Sequence, residues 1–443
     1  MDRREDARET GAEQMHVRRF DASRDAESAL RIWTEVGWVE PAEKHQEEAL
    51  ASFLSGADAW VAELRGRPEC IVATMPGTFM HLSQEIRMRA VMAVTTSRVA
   101  RRQGLASRLT AHALSHGART GELVSFLGMF DQGFYNKLGY GSGSYERHIS
   151  FDPAMLSVEG RPRMPYRLST EQAAQMHQNR LERMRAHGAC NILPEAATRG
   201  EMMFSKGGFG LGYYDESGRL THHLWAVANG ENGPYRVEWL AYETVAQLLE
   251  LLRLIKSLSD QVYSVSLHEP AWLQMQDLLD QPFRHSSLTE GGKMEHRWES
   301  FAYWQLRILD LEKLMAVTSI PTGETISFNL RLIDPIARYV ETETGRSNSE
   351  KGGSEDHGTD TEGWNGLGGD YIVTLGEVSH ARAGYERSLP SMQSSVNAFS
   401  RLWLGAASPF SLAVTDELRA PPALLETLSR QLRMPKPSLD WLF

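Results

Sequence analysis

The segment Val94-Thr-Thr-Ser-Arg-Val-Ala-Arg-Arg-Gln-Gly-Leu-Ala-Ser107 combines residue types suited to holding a polyanion. A β-like run ends, a short loop follows, and Arg101-x-x-Gly104-x-Ala106 leads into a helix. The first N–H groups of a helix have no intrahelical acceptor, and the helix dipole adds positive potential there. Gly104 removes a side chain where backbone must approach a ligand closely, and Ala106 keeps the next turn slim. Arg101 and Arg102 add formal charge. Cations at a helix N-terminus oppose the dipole by about 0.3–1 kcal/mol each at low salt, so a structural role alone does not favour the pair. A diphosphate, with several acceptor oxygens, matches this array of donors better than a single carboxylate. Arg101, Arg102, Gln103, Gly104, Leu105, Ala106 and Ser107 are therefore the expected pyrophosphate cradle.

The elements that must position this turn alternate between strand and helix over residues 16–152. His16 to Phe20, Ala59 to Glu63 and Cys70 to Thr74 read as short strands, and Ile86 to Thr96 as a long one. Asp25 to Val36 has Ala29, Trp33 and Val36 on one helical face. After Gly104, Leu105, Leu109, Ala113 and Leu114 form the apolar stripe of a helix for which Gly117 is a natural stop. Leu123 to Leu127 is the next strand. Residues 153–300 repeat part of this plan: Tyr235 to Ala241 alternates like a strand, Thr244 to Leu258 is amphipathic, and Val262 to Leu267 is strand-like. That echo lacks the glycine and arginine signature, which suggests a duplicated unit that kept the scaffold and lost the ligand site. Residues 301–443 read as a separate α+β unit, with strands Thr325 to Leu332 and Tyr371 to Leu375, a helix Met392 to Leu404 and a last strand Leu412 to Val414. Within it, residues 341–370 are rich in Gly, Ser, Glu and Thr and read as a mobile insertion.

Composition narrows the classes. The 443 residues carry 47 basic and 57 acidic side chains, a net charge of -10. No Lys/Arg stripe with interleaved aromatics argues for nucleic acid, and an acidic protein favours a cationic partner. No apolar run approaches the roughly 18 residues that span a bilayer. The charged start, MDRREDARET, has no apolar stretch behind it, so a cytoplasmic, membrane-free location is expected. The two cysteines, Cys70 and Cys190, have no CxxC partner, and a disulfide scaffold or zinc site is not expected. His222-His223 reads as a strand surface, with no ligand partners at metal spacing.

R-x-x-G-x-A after a strand resembles the coenzyme A motif of GNAT acetyltransferases. A second signature, Gly133-Phe-Tyr-Asn-Lys-Leu-Gly-Tyr-Gly141, resembles that superfamily's F-Y-x-x-x-G-F/Y element. Two such units, the second degenerate, followed by an α+β tail, resemble the enhanced intracellular survival family, whose tail is similar to a sterol carrier protein domain. The matching tail elements are Leu402-Trp-Leu-Gly405, Leu412-Ala-Val414 and Ser438-Leu-Asp-Trp-Leu-Phe443. The resemblance implies transfer of acetyl from acetyl-coenzyme A to a primary amine of a cationic acceptor. It implies that Val94 and Thr96 pair through backbone with the pantetheine arm, that Tyr135 is the general acid, and that the α-carboxylate of Phe443 is the base or proton relay. Trp33 and Trp38 are candidates for the acceptor pocket, though core packing accounts for them equally. A homo-oligomer, a hexamer by resemblance, is also implied. Two other readings stay open: a non-catalytic acetyl-coenzyme A sensor and a lipid carrier.

Overall fold

The computed structural model describes residues 15–40, 44–282, 295–321, 323–340 and 363–441. Among them three sheets form an α/β and α+β architecture, of eight, seven and five strands. No helix among the described residues is long and apolar enough to cross a membrane.

In the first sheet, His16–Arg19, Asp58–Leu64, Arg67–His81 and Gln84–Thr96 run as an antiparallel series. Gln84–Thr96 then pairs in parallel with Val124–Gly128, and the helix Leu105–Thr120 connects the two. Its stripe of Leu105, Leu109, Ala113 and Leu114 is buried with Val72, Val91 and Leu127 on one sheet face. The helix runs past Gly117, which sits inside it against the Arg89 side chain, and stops at Gly121, whose φ of 90° closes the end. A glycine ends a helix where the chain must turn left-handed, and the apolar stripe outlasts Gly117. On the other face lie the helices Ala22–Val36 and Lys44–Ser55.

The second sheet repeats the parallel strand–helix–strand unit with Tyr235–Ala241, the helix Val245–Lys256 and Val265–His268. Strand pairing crosses the sequence boundaries at 152 and 300. Glu146–Phe151 pairs with Val265–His268 in the second sheet. Trp304–Ile308 inserts between Val124–Gly128 and Gly141–Ser142 in the first. Cys190–Ile192 also joins the first sheet.

The third sheet is built on Ile326–Ile333 and Gly369–Leu375. Two expectations are corrected here. Met392 opens no helix: Ser391–Ser395 is a strand parallel to Ile326–Ile333, and the helix is Val396–Trp403, begun by the Ser395 side chain capping Ala398 N–H. Leu412 to Val414 is not a strand but part of the helix Pro409–Thr415, capped by Ser408. In both places a serine supplies the missing acceptor of a first helical turn. Of the expected insertion 341–370, residues 341–362 lie outside the described residues, and Gly369 already belongs to a strand. The first and third units share one apolar core, in which Phe79 touches Phe126 and Trp403 at ring distances of 4.9 and 6.0 Å.

Candidate active site

The strands Gln84–Thr96 and Val124–Gly128 pair from Met88 opposite Val124 to Val91 opposite Leu127, and then part. The parting coincides with a bulge. Against Arg67–His81 the register jumps from Ala73 opposite Ala93 to Thr74 opposite Val91, which leaves Met92 as the extra residue. A bulge bends its strand and frees ladder groups. Beyond Val91 the edge facing the helix connection therefore has no strand partner. A cavity of about 220 Å³ opens in the gap, lined by Val91, Met92, Ala93 and Val94 on one side and Gly128, Met129 and Phe130 on the other. Trp38, Tyr135 and Tyr303 complete it.

The Arg101–Ser107 turn stands beyond the end of the same strand. Arg101, Arg102, Gln103 and Gly104 are exposed. Arg102 and Gly104 both have left-handed backbones, with φ of 63° and 79°. A Cβ on Gly104 would meet no atom within 4 Å, so open space lies over it. No side chain caps the helix Leu105–Thr120 at its start. The corresponding helix of the second unit is closed: Thr244 Oγ1 accepts from Gln247 N–H at 3.3 Å, and Gln247 Oε1 accepts from Thr244 N–H at 3.1 Å. Such a reciprocal cap occupies the donors that an anion would need. The two parallel units thus differ at the helix start. Arg101, Arg102 and Arg108 make no ion pair with any described residue, whereas Arg98 is tied to Glu35. The donor set fits a diphosphate.

Val94 and Thr96 pair with Val72 and Cys70 on one edge and have no strand partner on the edge that faced Val124–Gly128. Thr96 Oγ1 donates to Cys70 Sγ at 3.3 Å, and burial pushes the Cys70 thiol up to about 12. Both cysteines are free and buried.

Tyr135 is buried on the short helix Gln132–Asn136, whose start is fixed by Asp131 accepting from Gly133 N–H at 3.0 Å. Its ring is held edge-on by Phe134 and Tyr140 at 4.9 and 6.1 Å. Burial raises its phenol above the ordinary value, so it stays protonated. Behind it, Gly139 takes a left-handed φ of 84°, and a Cβ there would press on the Arg307 guanidinium at 2.8 Å. That guanidinium in turn pairs with buried Asp334 at 2.7 Å.

The two tryptophans touch edge-on at 5.1 Å but differ in exposure. Trp38 is 48% exposed and lines the cavity, whereas Trp33 is 4% exposed and packs in the core against Phe53 and Phe204. Sequence reading missed Met92, Met129 and Tyr303. A bulge leaves no mark in one sequence, and Tyr303 arrives from the link between the strands Arg297–Phe301 and Trp304–Ile308, far along the chain. His222 and His223 are not surface groups: both are buried, His223 between Asn179 Oδ1 at 2.7 Å and Trp239 Nε1 at 3.0 Å. Alternation hid this because the sheet is covered on both faces there. Phe443 lies outside the described residues. The tail before it is docked: Leu439 N–H donates to Glu146 Oε1 at 2.9 Å, and Trp441 Nε1 to Glu201 Oε1 at 2.7 Å.

Residues 16–143 match the family model of the acetyltransferase (GNAT) domain, so this part of the chain is a GNAT acetyltransferase domain and the chain is an acyltransferase. No curated protein sequence matches the chain. The fold as a whole is similar to solved structures. One is a conserved protein of unknown function, a probable N-acyltransferase, from Enterococcus faecalis V583: TM-score 0.75, 17% identity, covering 97% of this chain and 100% of that one. A GCN5-related N-acetyltransferase from Anabaena variabilis has TM-score 0.71 and 14% identity, covering 97% and 100%. Eis1 from Mycobacterium abscessus has TM-score 0.68 and 13% identity, covering 97% and 100%, in line with the resemblance drawn from the motifs.

Proposed function

We propose that this GNAT domain moves acetyl from acetyl-coenzyme A to a primary amine of a cationic acceptor. The observation that carries the reading is the uncapped helix start at Gly104, in the connection that leaves the parted strand Gln84–Thr96, where the second unit's helix is sealed by Thr244 and Gln247. In this reading the amides and arginines of Arg101–Ser107 hold the pyrophosphate, and the backbone of Val94 and Thr96 guides the pantetheine arm. Acetyl-coenzyme A supplies an activated thioester.

The chain's own groups then manage protons. A lysine-like amine has a pKa of about 10.4, so delivering it neutral at pH 7 costs about 4.6 kcal/mol. A base that takes that proton is useful, and the Phe443 carboxylate is assigned to it; docking of Ser438 to Trp441 supports this. The amine nitrogen bonds to the acetyl carbon, the carbon–sulfur bond breaks, and Tyr135 gives its phenolic proton to the departing sulfur. Trp38 flanks the acceptor. The net charge of -10 favours a cationic amine by long-range attraction. A homo-oligomer belongs to the same reading and rests on the family resemblance.

A thiol-release assay with acetyl-coenzyme A against polyamines, aminoglycosides and lysine peptides tests it. Thiol release that depends on an amine supports the reading; coenzyme binding with no release for any amine makes the chain a sensor.

A further inference from the structure

Glu146, His148 and His268 bring ligating atoms together behind Tyr303, outside the lining of the acetyl-transfer cavity itself. Glu146 and His148 are two apart on the strand Glu146–Phe151, so they share a face, and His268 is the direct cross-strand partner of His148. Glu146 Oε2, His148 Nε2 and His268 Nε2 are all buried and make no hydrogen bond of standard geometry, and the Tyr303 hydroxyl and Trp304 indole N–H also approach the Glu146 carboxylate. One ligating atom from each side chain lies within 4.8 Å of those of the other two, with Glu146 Oε2 3.6 Å from His268 Nε2. The imidazoles stack at 5.1 Å, and Phe301 covers His148 at 4.9 Å. Buried polar atoms are nearly always paired, so two unpaired imidazole nitrogens gathered beside a buried carboxylate suit a shared occupant.

We propose that Glu146, His148 and His268 bind a borderline divalent transition-metal ion, with Zn²⁺ as the reference. Two imidazoles and one carboxylate are the donor set that such ions accept, at bond lengths of about 2.0–2.2 Å. Glu146 and His268 also line a cavity of about 1020 Å³, which gives the ion a route in and leaves its remaining positions to water. Glu146 uses its other oxygen, Oε1, to accept from Leu439 N–H, so a bound ion would fix the carboxylate that anchors the tail. The ligands come from distant parts of the chain, which is why a sequence reading that expected no metal had no spacing to notice. The inference stands independently of acetyl transfer.

The test uses the full chain, stripped with chelator and dialysed. Titration with Zn²⁺ alone, followed by calorimetry, should show one site per chain. Co²⁺ should give visible d–d absorption that Zn²⁺ abolishes. Glu146→Gln and His268→Ala should each weaken Zn²⁺ at least 10-fold, while His222→Asn, a buried histidine elsewhere in the sheet, should leave it unchanged. Circular dichroism of each variant separates lost binding from lost fold, and the Co²⁺ spectrum of the unaltered chain does not depend on any variant. No stoichiometric Zn²⁺ binding and no Co²⁺ absorption, or equal affinity in folded Glu146→Gln and His268→Ala, would overturn the proposal.

Discussion

Arg183 holds Asp440 through two parallel hydrogen bonds, Nε to Oδ2 at 2.9 Å and Nη2 to Oδ1 at 2.6 Å. Asp440 Oδ1 also accepts from Cys190 N–H at 3.1 Å. The next residue, Trp441, is fully buried with the Arg180 guanidinium 3.6 Å from its ring centre. The tail is therefore clasped by the second unit just before the residue assigned as the base. Asp440→Ala removes the carboxylate from a buried guanidinium, which keeps Asn191 Oδ1 and the Arg180 and Cys190 carbonyls, and should cost about 1.5–3 kcal/mol, read as a lower Tm. Acetyl transfer should fall while coenzyme binding is kept. A variant with unchanged Tm and turnover would separate the clasp from both stability and catalysis.

The open helix start predicts a charge effect at one position. Gly104→Asp places a carboxylate where the pyrophosphate is assigned. It should raise the coenzyme Kd at least tenfold, which is about 1.4 kcal/mol. Arg101→Ala and Arg102→Ala should each weaken binding less, and salt should shrink their effect because both side chains are exposed. Calorimetry at two salt concentrations reads both.

Tyr135→Phe keeps the aromatic packing and removes the proton. General acid groups contribute on the order of 10²–10⁴-fold, so kcat should fall by that amount with little change in coenzyme affinity. Because burial holds the phenol above its ordinary value of 10.0, the unaltered chain should show no alkaline loss from this group below that pH.

Trp33 and Trp38 should respond differently. Trp33→Ala empties a core site and should cost about 3–5 kcal/mol of stability. Trp38→Ala, on the half-exposed cavity wall, should change the KM for the amine and leave the Tm nearly unaltered.

Acid should destabilise the fold through buried neutral histidines. Burial lowers His223 to about 3, and His81 and His112 to about 4, from 6.5. Between those values and 6.5 only the unfolded chain takes up the proton, so stability is intact above 6.5 and falls as pH drops through the window. Each such group would contribute a loss on the order of 2 kcal/mol at pH 5. Tm measured from pH 7.5 to 5 should fall, and His112→Gln should make the slope shallower.

The cradle was legible because its chemistry is local: a strand end, two arginines and a glycine before a stripe of apolar residues. Tyr135 was legible for the same reason. What escaped depends on distant pairing. Trp304–Ile308 finishes the first sheet beside Val124–Gly128, and nothing near Trp304 announces that partner. Met392 and Leu412 were misassigned because short apolar runs suit helix and strand alike, and the deciding serines at 395 and 408 are common residues. His222-His223 looked like a solvent face because the sequence cannot show that Asn179 and Trp239 close over it.

The most direct measurement is calorimetric titration of acetyl-coenzyme A into the full chain and into Gly104→Asp. The account predicts one coenzyme per chain, with binding weakened at least tenfold in the variant at an unchanged circular dichroism spectrum. Equal binding in both, or none in the unaltered chain, would contradict it.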